Sequence, residues 1–253
     1  MLIKTIENLR DLTIRNLKFK YASTFLGILW AGLIPIILMI AITFVFMKVL
    51  KIDQKDFHIF VLSGLIPWLY FTNLTTEATQ AFVREKPMMH QFPFSHLLYP
   101  LSVTCSNLIQ HLIGIAVLLP VFAFYNPALL YKFILLIIPT VSFTIFLAAV
   151  TIIISITNLY IRDLEHILGT VLMVLFWLTP VFYNPLMVPL RFRFIIYCNP
   201  LSYFIDLYRS VLLENYSSFM GRGNVYAFIF AVLFLILAYF LYKKMENSIL
   251  KKI

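Results

Sequence analysis

The segment that decides the fold runs from Asn158 to Arg209 and reads NLYIRDLEHILGTVLMVLFWLTPVFYNPLMVPLRFRFIIYCNPLSYFIDLYR. It contains two apolar blocks, at 192–197 and 201–213, which are separated by Asn199-Pro200. At about 1.5 Å per helical residue, neither block reaches across a hydrocarbon core of about 30 Å. We therefore predict a broken, re-entrant helical hairpin over about 190–213 that enters the membrane from the far side and returns to it.

The second block of this hairpin carries two charged residues, Asp206 and Arg209. A charge within a membrane costs roughly 2.5–3.5 kcal/mol on insertion scales, so such residues usually face a protein interior or a wet cavity. The two residues lie three positions apart, which places them on one helix face where they can neutralise each other. We expect Asn199, Pro200, Asp206 and Arg209 to be the important residues of the hairpin.

The composition is that of a multi-pass membrane protein. The chain has 253 residues, of which 62% are hydrophobic and only 12% are charged, and its mean hydropathy is +0.92. No soluble domain has this composition, which indicates an all-α membrane protein. The net charge of +9 comes from basic residues clustered at the ends of apolar segments, where they act as orientation signals, so we expect no nucleic-acid partner.

We predict one transmembrane domain over 1–253 with six transmembrane helices and the hairpin between the fifth and the sixth. The predicted spans are at about 28–47, 57–83, 97–124, 133–157, 167–183 and 225–242. Residues 2–20 show helical spacing of apolar side chains with charges on the other faces, which predicts an amphipathic helix in the membrane interface. An ordinary packing helix ahead of the first span is the alternative.

The basic residues at both ends of the chain place both termini in the cytoplasm, and six crossings satisfy that arrangement. The excess of basic residues on the cytoplasmic side is modest, because four arginines fall on the outer side. These are Arg191, Arg193, Arg209 and Arg222.

Several short stretches occur in an order and spacing that a known family shares. They are Leu12–Arg15, Gly64–Trp68, the 87–93 loop, Asn158–Leu164, Thr179–Val181, Asn199–Leu201 and Tyr208-Arg209. On these stretches the chain resembles the membrane permeases of ABC transporters that export polysaccharides and polyol phosphates. It departs from them at Lys20, where we would expect arginine.

The resemblance implies a half-transporter in the cell inner (cytoplasmic) membrane that forms a homodimer and binds two copies of a separate ATPase. Its substrate would be a lipid-linked polysaccharide, such as an O antigen, a capsule or a teichoic-acid polymer, exported from the cytoplasmic side. This chain would bind no cofactor itself, because ATP and Mg would belong to the partner ATPase. Membrane lipid would surround it.

The loop from Arg84 to His96 is the longest internal cytoplasmic loop of the predicted topology, and its two prolines bracket one short helical turn. Met88 and Phe92 lie four apart and share a face that could fit a groove on the ATPase. Folding back onto the membrane interface is the alternative. The predicted ATPase-coupling residues are Arg84, Pro87, Met88, Met89, Phe92 and Pro93.

Arg162 and Asp163 form a charged cluster between the fourth and fifth spans. Juxtamembrane charges of this kind are often a solvated turn. The family resemblance favours a second role, in which the cluster ties the cytoplasmic end of the fourth span to an element that moves with the ATPase.

Aromatic residues make up 17% of the chain. Some sit deep in the predicted spans, where they could stack on the apolar faces of sugar rings or simply pack in the core. The candidate channel residues are Phe44, Phe46, Phe176 and Trp177.

No catalytic or metal-binding constellation is present in the sequence. It has no His-Glu-x-x-His motif, no Gly-x-Ser-x-Gly motif and no Gly-Lys dipeptide that a phosphate-binding Walker A loop requires. We therefore expect a transport subunit and not an intramembrane enzyme. A drug or lipid exporter of the ABC type is the alternative, followed by a secondary transporter, whose hallmark would be broken helices in both halves.

Overall fold

The computed structural model describes residues 2–52, 56–86, 95–125, 127–161, 163–213, 216–221 and 223–252. All regular secondary structure within these ranges is helical, which confirms the predicted all-α class. The α-helices are α1 (Leu2–Tyr21), α2 (Trp30–Thr43), α3 (Phe57–Thr79), α4 (Leu98–Tyr125), α5 (Ile137–Tyr160), α6 (Leu164–Leu178), α7 (Arg193–Cys198), α8 (Pro200–Leu212) and α9 (Gly223–Lys252). Shorter 3-10 or π-helical turns occupy Gly27–Leu29, Phe44–Val49, Pro127–Leu136, Pro185–Met187 and Leu190–Phe192.

Five helical stretches in the described part of the chain are long and apolar enough to cross a membrane. They are Gly27–Val49, Phe57–Thr79, Leu98–Phe124, Tyr131–Tyr160 and Val225–Glu246. These stretches overlap the spans predicted at 28–47, 57–83, 97–124, 133–157 and 225–242. The structure is therefore that of a multi-pass membrane protein.

Helix α6 is shorter than the fifth span expected over 167–183. It begins at Leu164 and ends at Leu178, and its 15 residues extend about 22 Å. The helix stops because Thr179 has extended dihedral angles (φ −92°, ψ 133°) ahead of Pro180, and proline disfavours helix in the residue before it. Residues 179–184 continue the chain without helix.

Helix α3 lies at the centre of the molecule. In the apolar 18-residue stretch of α3 that could span the membrane, 78% of the residues are buried. The corresponding share is 17% in both Gly27–Val49 and Val225–Glu246. It packs against α2, α4, α5, α6 and α8, and α9 lies on the outside along α5. The core is therefore organised around α3, with the first and last long helices facing outward.

Glycines allow α3 and α4 to approach the backbone of neighbouring segments closely. A Cβ atom added at Gly64 would lie 2.2 Å from the carbonyl oxygen of Val181, and one at Gly114 would lie 2.9 Å from that of Ala31. Small residues at helix contacts in membranes let backbones approach in this way. At Gly64 the partner is the non-helical segment after α6, so α3 supports the point where α6 breaks.

We predict that Gly64→Ala destabilises the protein, because its methyl group would collide with backbone that cannot rotate away. Overpacking of this kind costs roughly 1–3 kcal/mol, and it would lower the midpoint of thermal unfolding in detergent. Gly169→Ala is the matched control in α6, where nothing lies within 4 Å of an added Cβ. That control should gain up to about 1 kcal/mol from helix propensity. Equal stability of the two variants would contradict the close contact at Gly64.

Candidate functional site

Helices α7 and α8 lie within residues 190–213, where the re-entrant hairpin was predicted, and Asn199 joins them. We call these two helices the hairpin below. The Asn199 side chain accepts a hydrogen bond from the Leu201 N–H (3.0 Å) and therefore caps α8, with Pro200 at the first helical position. The same side chain donates to the Thr179 hydroxyl at 2.8 Å. One residue thus starts α8 and links the hairpin to the break after α6.

Arg209 holds the other side of this break. It is 1% exposed, and its Nη2 donates to the Val181 carbonyl oxygen at 2.7 Å. Its guanidinium also lies over the Phe60 ring of α3, 3.8 Å from the ring centre. A desolvated cation–π contact contributes about 2 kcal/mol. Arg209 therefore binds a carbonyl that the end of α6 has left without a helical partner.

Asp206 has a different set of partners. It is 5% exposed and accepts hydrogen bonds from the Tyr216 hydroxyl (2.7 Å), the Ser218 hydroxyl and the Phe219 N–H (3.3 Å). These donors lie in the segment that follows the hairpin. Asp206 therefore links α8 to residues 216–219, which precede α9 and are called the return segment below.

Asp206 and Arg209 are both described by the structure and form no direct ion pair with each other. Arg209 is directed toward α3 and Val181, whereas Asp206 is directed toward 216–219. Both Asp206 and Tyr216 still interact electrostatically with the guanidinium. The two charges lie on one helix, but their hydrogen bonds serve different segments, and their mutual neutralisation stays a prediction.

A buried hydrogen-bonded chain continues from α8 into the core. The Tyr208 hydroxyl lies 2.9 Å from His111 Nε2 on α4 and 2.9 Å from the Thr140 hydroxyl on α5. The His111 ring stacks on Tyr70 of α3 with 4.3 Å between ring centres. The sequence showed His111 only as one of five scattered histidines, so its part in positioning the hairpin was missed.

A second polar cluster joins α1 to α3 and α4. Lys20 forms an ion pair with Glu77 and donates to the side chain of Gln110, and the Asn107 amide donates to Glu77 at 2.7 Å. Burial and the Glu77 carboxylate raise the pKa of Tyr21, at the end of α1, to about 12. Glu77 is thus the centre of a cluster that the sequence analysis did not identify, although an acidic residue inside an apolar stretch was a usable signal.

Helix α1 is also attached beside the predicted coupling loop. Arg15 forms an ion pair with Glu85, two residues before Pro87, and Asn16 donates to the Ser102 hydroxyl at 3.0 Å. On the other surfaces of α1, Ile6 and Phe19 are exposed (66% and 78%). One face of α1 therefore packs on the bundle, and exposed apolar and charged residues remain on the others.

The predicted coupling and interspan residues lie mostly outside the described residues. Residues 87–94, which include Pro87, Met88, Met89, Phe92 and Pro93, and Arg162 belong to this group. Arg84 is exposed on the turns after α3, and Asp163 is exposed just before α6. In the described part, the contact between the start of α6 and the end of α3 is made by Glu165, which accepts from the Gln80 amide at 2.6 Å.

The four candidate channel aromatics separate into two pairs. Phe46 packs against Phe57 and Phe182, and Phe176 packs against Trp68, Trp177 and Phe182. Phe44 and Trp177 are 61% and 64% exposed. Phe46 and Phe176 are thus partly buried against the core, whereas Phe44 and Trp177 expose most of their surface.

Comparison with known proteins defines the class. The family described as ABC-2 type transporter matches residues 7–213, a range that includes α1 from its sixth residue onward, the break after α6 and the whole hairpin. The chain therefore belongs to the ABC-2 type transporter family and is a membrane permease. In such transporters the permease is a transport subunit and not an enzyme, and ATP is hydrolysed on a separate subunit.

Two individual proteins that resemble this chain have names that specify a transport function. The chain is 29% identical over 206 residues to an O-antigen export system permease protein, RfbA, of Klebsiella pneumoniae, covering 81% of this chain and 79% of that protein. It is 28% identical over 169 residues to the protein of the same name from Myxococcus xanthus, covering 67% and 65%. The family resemblance stated from the sequence is thereby confirmed.

We predict that Asp206→Ala destabilises the hairpin, because three donors from 216–219 lose a charged acceptor in a buried site. Hydrogen bonds to charged groups contribute about 1.5–3 kcal/mol each, so the unfolding temperature in detergent should fall clearly. Asp163→Ala removes the same charge from an exposed position and should leave it unchanged. Equal and mild effects would show that Asp206 is solvated.

Proposed function

We propose that this chain is the transmembrane subunit of an exporter that moves a lipid-linked polysaccharide out of the cytoplasm. Two copies of the chain would act with two copies of a separate ATPase, which binds ATP and Mg. The observation that carries this proposal is the similarity to O-antigen export permeases over 81% of the chain. An O antigen is accordingly the first substrate class to test.

Six crossings with both termini in the cytoplasm fit the helices best. Helix α6 and the non-helical residues 179–183 together would make the fifth crossing, which α6 alone is too short to complete. Helices α7 and α8 have 6 and 13 residues, about 9 and 20 Å, so each would enter the membrane without spanning it. The domain would then be a single unit over 1–253, with α1 in the cytoplasmic interface.

The hydrogen bonds around the hairpin support its position inside the membrane. Non-helical backbone at that depth is tolerated only where protein or a wet cavity surrounds it. Asn199 and Arg209 supply these contacts at Thr179 and Val181. A hairpin lying on an aqueous surface would not need a buried arginine for this purpose.

The exposed face of α6 supports the homodimer. None of the residues of α6 is buried in the single chain, and Val171, Met173, Val174 and Trp177 expose between 42% and 70% of their surface. A second copy could cover part of this face. Trp177, with Phe44, would then lie near the path of the polysaccharide, where aromatic rings can stack on sugars.

The polar cluster of α1 supports a route for force from the ATPase. Arg15 contacts Glu85 immediately before the 87–93 loop, and Asn16 contacts Ser102 shortly after it. A displacement of the loop would therefore move α1 and, through Lys20 and Glu77, the central helix α3. Arg84 and the Arg162-Asp163 cluster would complete this cytoplasmic contact surface.

We predict that the purified chain hydrolyses no ATP, and that hydrolysis and export of a lipid-linked polysaccharide into proteoliposomes require the added ATPase subunit.

The double variant Met88→Asp, Phe92→Asp should insert normally but lose ATPase binding in a pull-down, because charge would replace the apolar face of the loop. Met187→Asp, an exposed position on the proposed outer side, is the control and should bind normally. Hydrolysis by the chain alone, or export by the double variant at the normal rate, would contradict the proposal.

A further inference from the structure

An apolar cleft of about 500 Å³ lies between the hairpin and the helices on either side of it. Its volume is within the range of roughly 300–1,000 Å³ in which small molecules bind. Its walls come from α3, α5, α6, α7, α8 and α9. They include Phe71, Phe146, Leu175, Ile195, Leu201 and Phe234.

The cleft lies between two helices that expose apolar side chains. Phe194 of α7, in the wall of the cleft, is 60% exposed, and Ile236 and Leu237 of α9 are 48% and 54% exposed. In a chain that crosses a membrane such side chains face hydrocarbon. Its walls carry no charged side chain. The ligand that fits this environment is a hydrocarbon chain.

Arg191 lies in the turn that immediately precedes the α7 wall of the cleft. The turn Leu190–Phe192 runs directly into α7, so Arg191 lies three and four residues before Phe194 and Ile195, on the same face. Phe194 and Ile195 both line the cleft. Arg191 is exposed, lies over the Phe192 ring (4.4 Å), and forms no ion pair with any described residue.

Arg193 has a different role. It donates to the carbonyl oxygens of Val188 (2.9 Å) and Leu186 (3.0 Å), and so it holds the loop before α7. Arg191 is therefore the arginine of this turn that is available to an anion. A role in binding an anion would also explain why Arg191 lies on the proposed outer side of the membrane, although basic residues are generally more frequent on the cytoplasmic side.

We propose that the cleft binds one hydrocarbon chain of an anionic membrane phospholipid, and that Arg191 binds the phosphate of its headgroup. This site does not depend on the polysaccharide substrate or on ATP. The lipid would fill the space between α6 and the hairpin and support the hairpin against the helices beside it.

Native mass spectrometry of the purified full chain tests this, with phosphatidylglycerol or phosphatidylethanolamine of matched chains added in detergent. Both lipids carry a phosphate, but the ammonium group of phosphatidylethanolamine competes with Arg191 for it, so wild-type protein should bind phosphatidylglycerol about tenfold more tightly. Arg191→Gln should remove this preference, and Ile195→Trp, which fills the cleft, should abolish binding of both lipids. The controls are Lys51→Gln, an exposed charge, and Ile138→Trp, a 70% exposed apolar position, and both should bind as wild type.

Four results would overturn the proposal. Equal binding of the two lipids, or an unchanged preference in Arg191→Gln, would show that the arginine does not select an anionic headgroup. Displacement of phosphatidylglycerol by a trace of polyprenyl phosphate would assign the cleft to a lipid carrier. Loss of a dimer in Ile195→Trp without loss of lipid would show that a second copy of the chain covers the cleft.

Discussion

The hydrogen bond from Arg209 to the Val181 carbonyl is the contact on which the second half of the structure depends. Pro180 ends α6 and leaves backbone carbonyls without helical partners, and an unsatisfied carbonyl in hydrocarbon costs several kcal/mol. Arg209 supplies a charged donor there, with its own charge placed against the Phe60 ring. The break in α6 and the buried arginine therefore stabilise each other.

Other residues around this contact bring three segments together. Gly64 lets α3 approach Val181, and Asn199 connects the start of α8 to Thr179. Asp206 binds the return segment at 216–219. The arms of the hairpin are short, so these side-chain contacts, in addition to their own helical hydrogen bonds, fix where the hairpin lies. The central helix α3 connects this region to the Lys20–Glu77 cluster near the opposite end of the molecule.

Local signals explain what the sequence could predict. Prolines at 180 and 200 and the asparagine at 199 mark the ends of helices through short-range geometry, and both α7 and α8 lie within residues 190–213, where the sequence predicted two short helices. Long apolar runs likewise indicated the stretches that are long enough to span. The fifth span was expected to run to 183 because apolar residues continue past Leu178, whereas Pro180 ends the helix there.

Contacts between residues distant in sequence could not be predicted. The i, i+3 spacing suggested that Asp206 pairs with Arg209, but the partners of both lie 10 to 28 positions away, at Tyr216 and Val181. Glu77 was missed because its partners, Lys20, Asn107 and Gln110, come together only when α1, α3 and α4 pack. Burial also separated the aromatics, because Phe46 and Phe176 are partly buried against the core although nothing in their sequence context differs from that of the exposed Phe44 and Trp177.

Cysteine labelling from each side of the membrane tests most directly whether the hairpin enters and leaves on one side. The variants are Leu190→Cys and Arg222→Cys, made after both native cysteines, including the exposed Cys198, are replaced by serine. Both positions should react with a membrane-impermeant thiol reagent from the outer face, and Lys244→Cys should react only from the inner face. If either position 190 or position 222 reacted only from the inner face, one arm of the hairpin would cross the membrane and the re-entrant arrangement would be wrong.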